Sequence, residues 1–120
     1  MDVSITKEFF NRGLIDEITP TLITHLAEVD LNSGQDMNVD WPMYQAMQEG
    51  GQYHFFVLRI NGWVRGYVGY ITSPSLHYKG KLQALCDLIY IHPEVRGYML
   101  SVRLLKHVEK AMVEIKAISI

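Results

Sequence analysis

The chain has 120 residues, of which 48% are hydrophobic and 20% charged, and it carries a formal net charge of −2. That length suits one self-supporting domain over residues 1–120, and the composition excludes a disordered chain. There is no basic excess to bind nucleic acid. Cys86 is the single cysteine, which excludes an intrachain disulfide and leaves no cysteine-based zinc site. No apolar run approaches the ~20 residues of a membrane span, and the N-terminus lacks the basic and apolar regions of a signal peptide. A soluble cytoplasmic protein is expected.

Residues Thr6 to Gly13 suit a short strand or an irregular anchor, with Phe9 and Phe10 adjacent. Leu14, Ile15, Ile18, Leu22, Ile23, Leu26 and Val29 have helical spacing. Thr19-Pro20 reads as a helix start, with Thr as N-cap and Pro in the first turn. The expected helix therefore runs from about Pro20 to Asp30, with a turn of helix from Leu14 ahead of it. Leu31 to Val39 is a polar loop. A second short helix follows Asp40, presents Met43, Tyr44 and Met47 on a core face, and ends at Gly50-Gly51.

The period then changes. Gln52 to Ile60 is rich in aromatic and β-branched residues and predicts a strand. Asn61-Gly62 predicts a type I′ hairpin turn, whose central residues both need positive φ. Trp63 to Thr72 is the partner strand, Ser73 to Gly80 a loop, and Leu82 to His92 a third strand stopped by Pro93. From Ser101, the residues Leu104, Leu105, Val108, Ala111, Met112 and Ile115 form an apolar helical stripe. Ala117 to Ile120 resembles the start of another strand. The order helix, helix, strand, strand, strand, helix, strand predicts an α/β (α+β) layer with a meander entering a helical crossover.

Chemistry concentrates between Asp87 and Leu105. A strand that passes through a tight loop into a helix makes an anion site, because the first helical N–H groups have no intrahelical partner and the helix dipole favours negative charge. A pyrophosphate is the natural ligand, and Arg96 adds a cation beside it.

Pro93-Glu94-Val95-Arg96-Gly97, followed by Leu104-Leu105, resembles the coenzyme motif of the GNAT superfamily of N-acetyltransferases. Met99 stands where the first motif glycine is usual, and Ser101 where a second Gly or Ala is usual. A side chain at Met99 is tolerable if φ there is negative. Asp40-Trp41, Ser73-Pro74, Leu76-His77-Tyr78, Leu82-Gln83-Ala84, Asp87 and Tyr90 look like a branch common in phages and prophages. The resemblance covers about Ile5 to Ile120. It implies a mixed, mainly antiparallel sheet flanked by helices, with the chain ending near the start of the fifth strand.

The resemblance also implies acetyl-CoA as cosubstrate. Backbone groups of Ile89 and Ile91 would pair with its pantetheine arm, and one amide would polarise the acetyl carbonyl. Arg96, Gly97, Tyr98, Met99, Leu100 and Ser101 would hold the pyrophosphate. The acceptor would be an amine of a small molecule or protein. Such a reaction needs a base for the ammonium and an acid for the departing thiolate.

Asp87 is the first candidate for base or for amine recognition, since a carboxylate inside an apolar strand is desolvated and accepts a proton more readily. The alternative is a structural Asp bonded to a loop. Tyr78, with His77, lies in the loop before that strand, and would either line the acceptor side or anchor the loop. His92 reads as an exposed loop residue. Cys86 should point to the opposite face from Asp87 as a small buried residue. Trp41, Trp63, Tyr67 and Tyr70 read as packing, and Ser101 as a helix N-cap. His25 and His54 have no partner at ligand spacing, so no metal is expected.

A different class of function is also open. A GNAT-like fold that has lost catalysis could serve as a binding module on a host protein. The usual tyrosine acid comes from a region beyond the coenzyme helix that this chain does not contain. An unpaired final strand, Ile118 to Ile120, could instead be completed in a homodimer.

Overall fold

The computed structural model describes residues 2–29, 39–97 and 99–114. Four strands form one sheet in the order β1-β2-β3-β4: β1 Val3–Lys7, β2 Tyr53–Ile60, β3 Trp63–Pro74 and β4 Leu82–Ile91. Every neighbouring pair is antiparallel. Three helices accompany them: α1 Arg12–Val29, α2 Trp41–Glu49 and α3 Leu100–Glu114.

The first strand is absent from the expected order. Val3 and Ile5 alternate toward a hydrophobic cluster, and Val3 to Lys7 pair with Ile60 to Phe56. Phe10 is the irregular anchor, 6% exposed, whereas its neighbour Phe9 is 61% exposed.

The first helix starts earlier than Thr19-Pro20 implies. Asn11 is its cap, because Asn11 Oδ1 accepts from Leu14 N at 2.9 Å. Pro20 lies inside the helix. It is exposed, as is Asp16 four residues before it, so water can serve the carbonyl that Pro20 leaves without a donor. Thr19 is no cap; its hydroxyl donates back to the Ile15 carbonyl at 2.6 Å. The second helix starts as expected. Asp40 caps it by accepting from Met43 N at 3.1 Å, and Gly50 ends it. Met43, however, is 56% exposed and not in the core.

The β2–β3 turn has Asn61 at φ 51° and Gly62 at φ 84°, the positive pair that a type I′ hairpin requires. Strand β3 runs two residues past the expected end, because Ser73 and Pro74 pair with Gln83 and Leu82. Trp63 at its start is 66% exposed, against the expectation that it packs. Strand β4 stops at Ile91. His92 then caps a single 3-10 turn, Pro93–Val95, by accepting from Glu94 N at 3.3 Å.

Each sheet face has its own core. Phe56, Leu58, Ile60, Val68 and Ile91 pack with Leu100, Leu104, Val108 and Met112 of α3. Phe55, Val57, Val64, Tyr53, Tyr67 and Tyr90 pack with Leu14, Ile18 and Leu22 of α1, and Trp41, Tyr44 and Met47 of α2 lie against them. Most of the expected Leu31–Val39 loop, the last helical position Ile115 and the expected strand from Ala117 lie outside the described residues.

Candidate functional site

Strand β4 is not regular. Gly69 pairs with Leu88 and Tyr70 pairs with Cys86, so Asp87 has no residue opposite and forms a β-bulge. A bulge breaks the alternation of side chains and re-aims one of them. Cys86 faces Tyr70 on the α3 side, while Asp87 meets the phenols on the other side. Cys86 is exposed, not a buried residue.

Two tyrosines converge on this carboxylate. Tyr44 Oη of α2 and Tyr53 Oη of β2 each donate to Asp87 Oδ2 at 2.8 Å. Tyr53 has to cross β3 to do so. It crosses at Gly69, where any Cβ would collide with the Tyr53 hydroxyl and stand 2.8 Å from its Cζ. Tyr44 is brought in by the docking of α2. Gln48 Oε1 accepts from Phe10 N at 2.7 Å, and its Nε2 donates to the Glu8 carbonyl at 3.0 Å. Phe10 is the hub of the ring packing, with centroids 4.6 Å from Phe55, 5.3 Å from Trp41, 5.4 Å from Tyr44 and 5.8 Å from Tyr53.

Burial, and after it the Asp87 carboxylate, pushes both phenols well above the ordinary tyrosine value of 10. Both therefore keep their protons at neutral pH and act as donors. Asp87 itself is exposed. The low-dielectric surroundings expected for a carboxylate within an apolar strand are not what it has.

Beyond β4 the backbone is unusual. Gly97 has φ 98°, and Met99 has φ 59°. The condition under which a side chain at Met99 is tolerable, a negative φ, is therefore not met. Met99 holds the left-handed conformation natural to glycine, and its side chain turns outward, 67% exposed. The Met99 carbonyl accepts from Arg103 N at 3.2 Å, which makes Met99 the residue that opens α3. Ser101 is consequently inside the first turn and is not the N-cap. Leu100, Ser101 and Val102 carry the N–H groups that have no intrahelical acceptor. Leu100 is buried and anchors the helix start. Tyr98 lies outside the described residues.

Arg96 faces the strand. Its Nε donates to the Ile91 carbonyl at 2.8 Å, and its guanidinium lies 5.4 Å from the centre of the Tyr90 ring. It ties the loop to the end of β4, so the Ile91 carbonyl is engaged. Ile91 is nearly buried, whereas Ile89 is 44% exposed. Strand β4 forms one edge of the sheet among the described strands.

Tyr78 is not brought to Asp87. It is 63% exposed in the β3–β4 turn, where its N donates to Ser75 Oγ at 3.2 Å and its carbonyl accepts from Lys81 N at 3.0 Å. Five strand residues separate Asp87 from the start of β4, about 17 Å at ~3.3 Å per residue. The phenols that reach Asp87 are Tyr44 and Tyr53. Sequence reasoning placed Tyr44 on a core-facing helix surface and singled out neither. The signal for Tyr53 was Gly69, an isolated glycine inside a strand pattern, which marks a bulge or a close approach.

No family profile and no curated protein sequence matches this chain. Solved structures do. A ribosomal-protein-alanine N-acetyltransferase from Brucella melitensis biovar Abortus 2308 superposes with a TM-score of 0.79 at 18% identity, over 100% of this chain and 78% of that one. An aminoglycoside acetyltransferase from an uncultured soil metagenomic sample gives 0.77 at 9% identity, over 99% and 77%. A predicted acetyltransferase with acetyl-CoA from Clostridium acetobutylicum gives 0.66 at 12%, over 99% and 80%. The chain thus has the GNAT acetyltransferase fold. No helix among the described residues is long and apolar enough to cross a membrane.

Proposed function

We propose that this chain is an acetyl-CoA-dependent N-acetyltransferase. The observation that carries this reading is the strand–loop–helix unit from Ile91 to Leu100, where Gly97 and Met99 both take positive φ immediately ahead of α3. A non-glycine residue in the left-handed region costs about 1–3 kcal/mol and persists only where the surroundings demand it. The demand here is a backbone cradle opening on the helix N-terminus.

The residues present fit the coenzyme. The N–H groups of Gly97, Met99, Leu100 and Ser101 would hold the pyrophosphate, and the edge of β4 at Ile89 and the Ile91 N–H would take the pantetheine arm as an added strand. Arg96 fixes the loop on β4 through the Ile91 carbonyl. Acetyl-CoA supplies an acetyl group activated as a thioester. One similar structure is described with acetyl-CoA, and another is a glucosamine-6-phosphate N-acetyltransferase from Arabidopsis thaliana, whose named acceptor is an amino sugar.

Asp87 is the base. It takes one proton from the acceptor ammonium and frees the nitrogen lone pair. The C–N bond to the acetyl carbon then forms as the C–S bond breaks. The second proton lost by nitrogen ends on sulfur, so one proton is released overall. Isothermal titration calorimetry with acetyl-CoA tests the reading: saturable 1:1 binding is expected, with transfer to a primary amine. Absence of heat at millimolar acetyl-CoA would overturn it and leave the fold as a binding module.

A further inference from the structure

We infer that Tyr44 and Tyr53 are positioning residues that hold Asp87 by one oxygen so that the other receives a primary alkylammonium acceptor. This rests on the acetyltransferase reading and names the class of its second substrate.

The geometry is lopsided. Both phenols donate to Oδ2. Among the described residues Oδ1 accepts no hydrogen bond, and Asp87 is exposed. An exposed aspartate ordinarily turns freely in water. Here two donors on separate elements fix the plane of the carboxylate and leave its second oxygen facing outward. Three separate features serve that arrangement. The bulge removes the residue opposite Asp87, Gly69 leaves room for the Tyr53 phenol, and Gln48 pins α2 so that Tyr44 reaches the same oxygen.

Both phenol hydroxyls are spent on Asp87 Oδ2 and point at the carboxylate. Their work is orientation. What the outward oxygen favours follows from charge: a hydrogen-bond donor, and a cation above a neutral one. Tyr44 and Tyr53 meet edge to face with centroids 4.9 Å apart, and Trp41 lies 5.8 Å from Tyr44. Such rings favour a cation and the methylenes next to it. An acceptor carrying phosphate or carboxylate beside its nitrogen would meet repulsion from Asp87.

The test separates acceptor binding from coenzyme binding. n-Butylammonium and n-butanol are titrated into the full chain without coenzyme and followed by NMR. Binding of n-butylammonium at least about ten times tighter than that of n-butanol is expected. Tyr53→Phe and Tyr44→Phe should each weaken ammonium binding by at least about threefold, and Asp87→Asn should abolish it. Tyr70→Phe, on the opposite face, should leave it unchanged. In turnover with acetyl-CoA, both phenol variants should raise KM for the amine more than they lower kcat, with coenzyme affinity unchanged. Equal binding of the amine and the alcohol would overturn the proposal, and so would wild-type ammonium binding in a folded Tyr53→Phe. Loss of acetyl-CoA binding by the wild type would instead overturn the acetyltransferase reading, and the amine titration is read independently of it.

Discussion

The two faces of the sheet are built differently. The α3 face is largely aliphatic: Leu58, Val68, Leu104 and Val108 are all at most 1% exposed. The α1/α2 face is aromatic and carries polar tips. Tyr53 and Tyr67 are equally buried, but Tyr53 bonds Asp87 and Tyr67 Oη lies 2.6 Å from His25 Nδ1. His25 in turn stacks on Tyr90 at 4.8 Å. One face holds α3 in place by volume. The other uses hydrogen-bonded rings, two of which hold Asp87 of β4. Tyrosine suits that work because its ring packs while its hydroxyl reaches a partner.

Breaking the aliphatic face should cost the most stability. Leu104→Ala leaves a cavity under α3 and should cost about 2–5 kcal/mol in urea denaturation. Asp87→Asn tests the other face by activity. Acetyl transfer should fall by at least about 10²-fold while acetyl-CoA binding is kept. Retained turnover would remove Asp87 as the base. Gly69→Ala joins the two regions, since its Cβ would displace the Tyr53 phenol. The overpacking should cost about 1–3 kcal/mol and weaken amine binding in the same variant.

A smaller effect is expected from acid. His54 is buried near Lys7 Nζ at 2.9 Å and Thr72 Oγ1 at 3.2 Å. Burial, and then the Lys7 charge, hold its pKa below the ordinary 6.5. The unfolded chain therefore takes up this proton first. The stabilisation from His54 is present above pH 6.5 and is lost as pH falls through the folded value. His54→Gln should flatten the decline of the thermal midpoint over that range. Glu8 has the same sign at lower pH. Burial opposes its charge, but bonds from Arg59 and Thr6 outweigh that and hold it below its ordinary 4.5. Met99→Gly should have the smallest effect, a gain of up to about 1 kcal/mol from relieved backbone strain, with coenzyme binding retained.

The same contrast explains what could be read from the sequence. The α3 stripe, the Asn61-Gly62 turn and the Asp40 cap follow from residues close together in the chain, and all three are found. Pro20 misled because a proline can start a helix or sit inside one, and the choice depends on which face meets water. Strand β1 is five residues long, too short for its alternation to stand out before its pairing with β2 is known. Asp87 was visible as a carboxylate in an apolar strand. Its phenol partners were not, because they come from α2 and β2, and they meet it through a bulge and a glycine in the strand between. Register and close approach are non-local, and spacing along the chain does not encode them.

The proposed coenzyme site lies where β4 passes into α3. Amide chemical-shift mapping of the labelled chain with acetyl-CoA tests it most directly. Saturable shifts concentrated from Ile89 to Ser101, with the β3–β4 turn around Tyr78 unmoved, are the expected result. Shifts centred elsewhere, or none at millimolar acetyl-CoA, would contradict it.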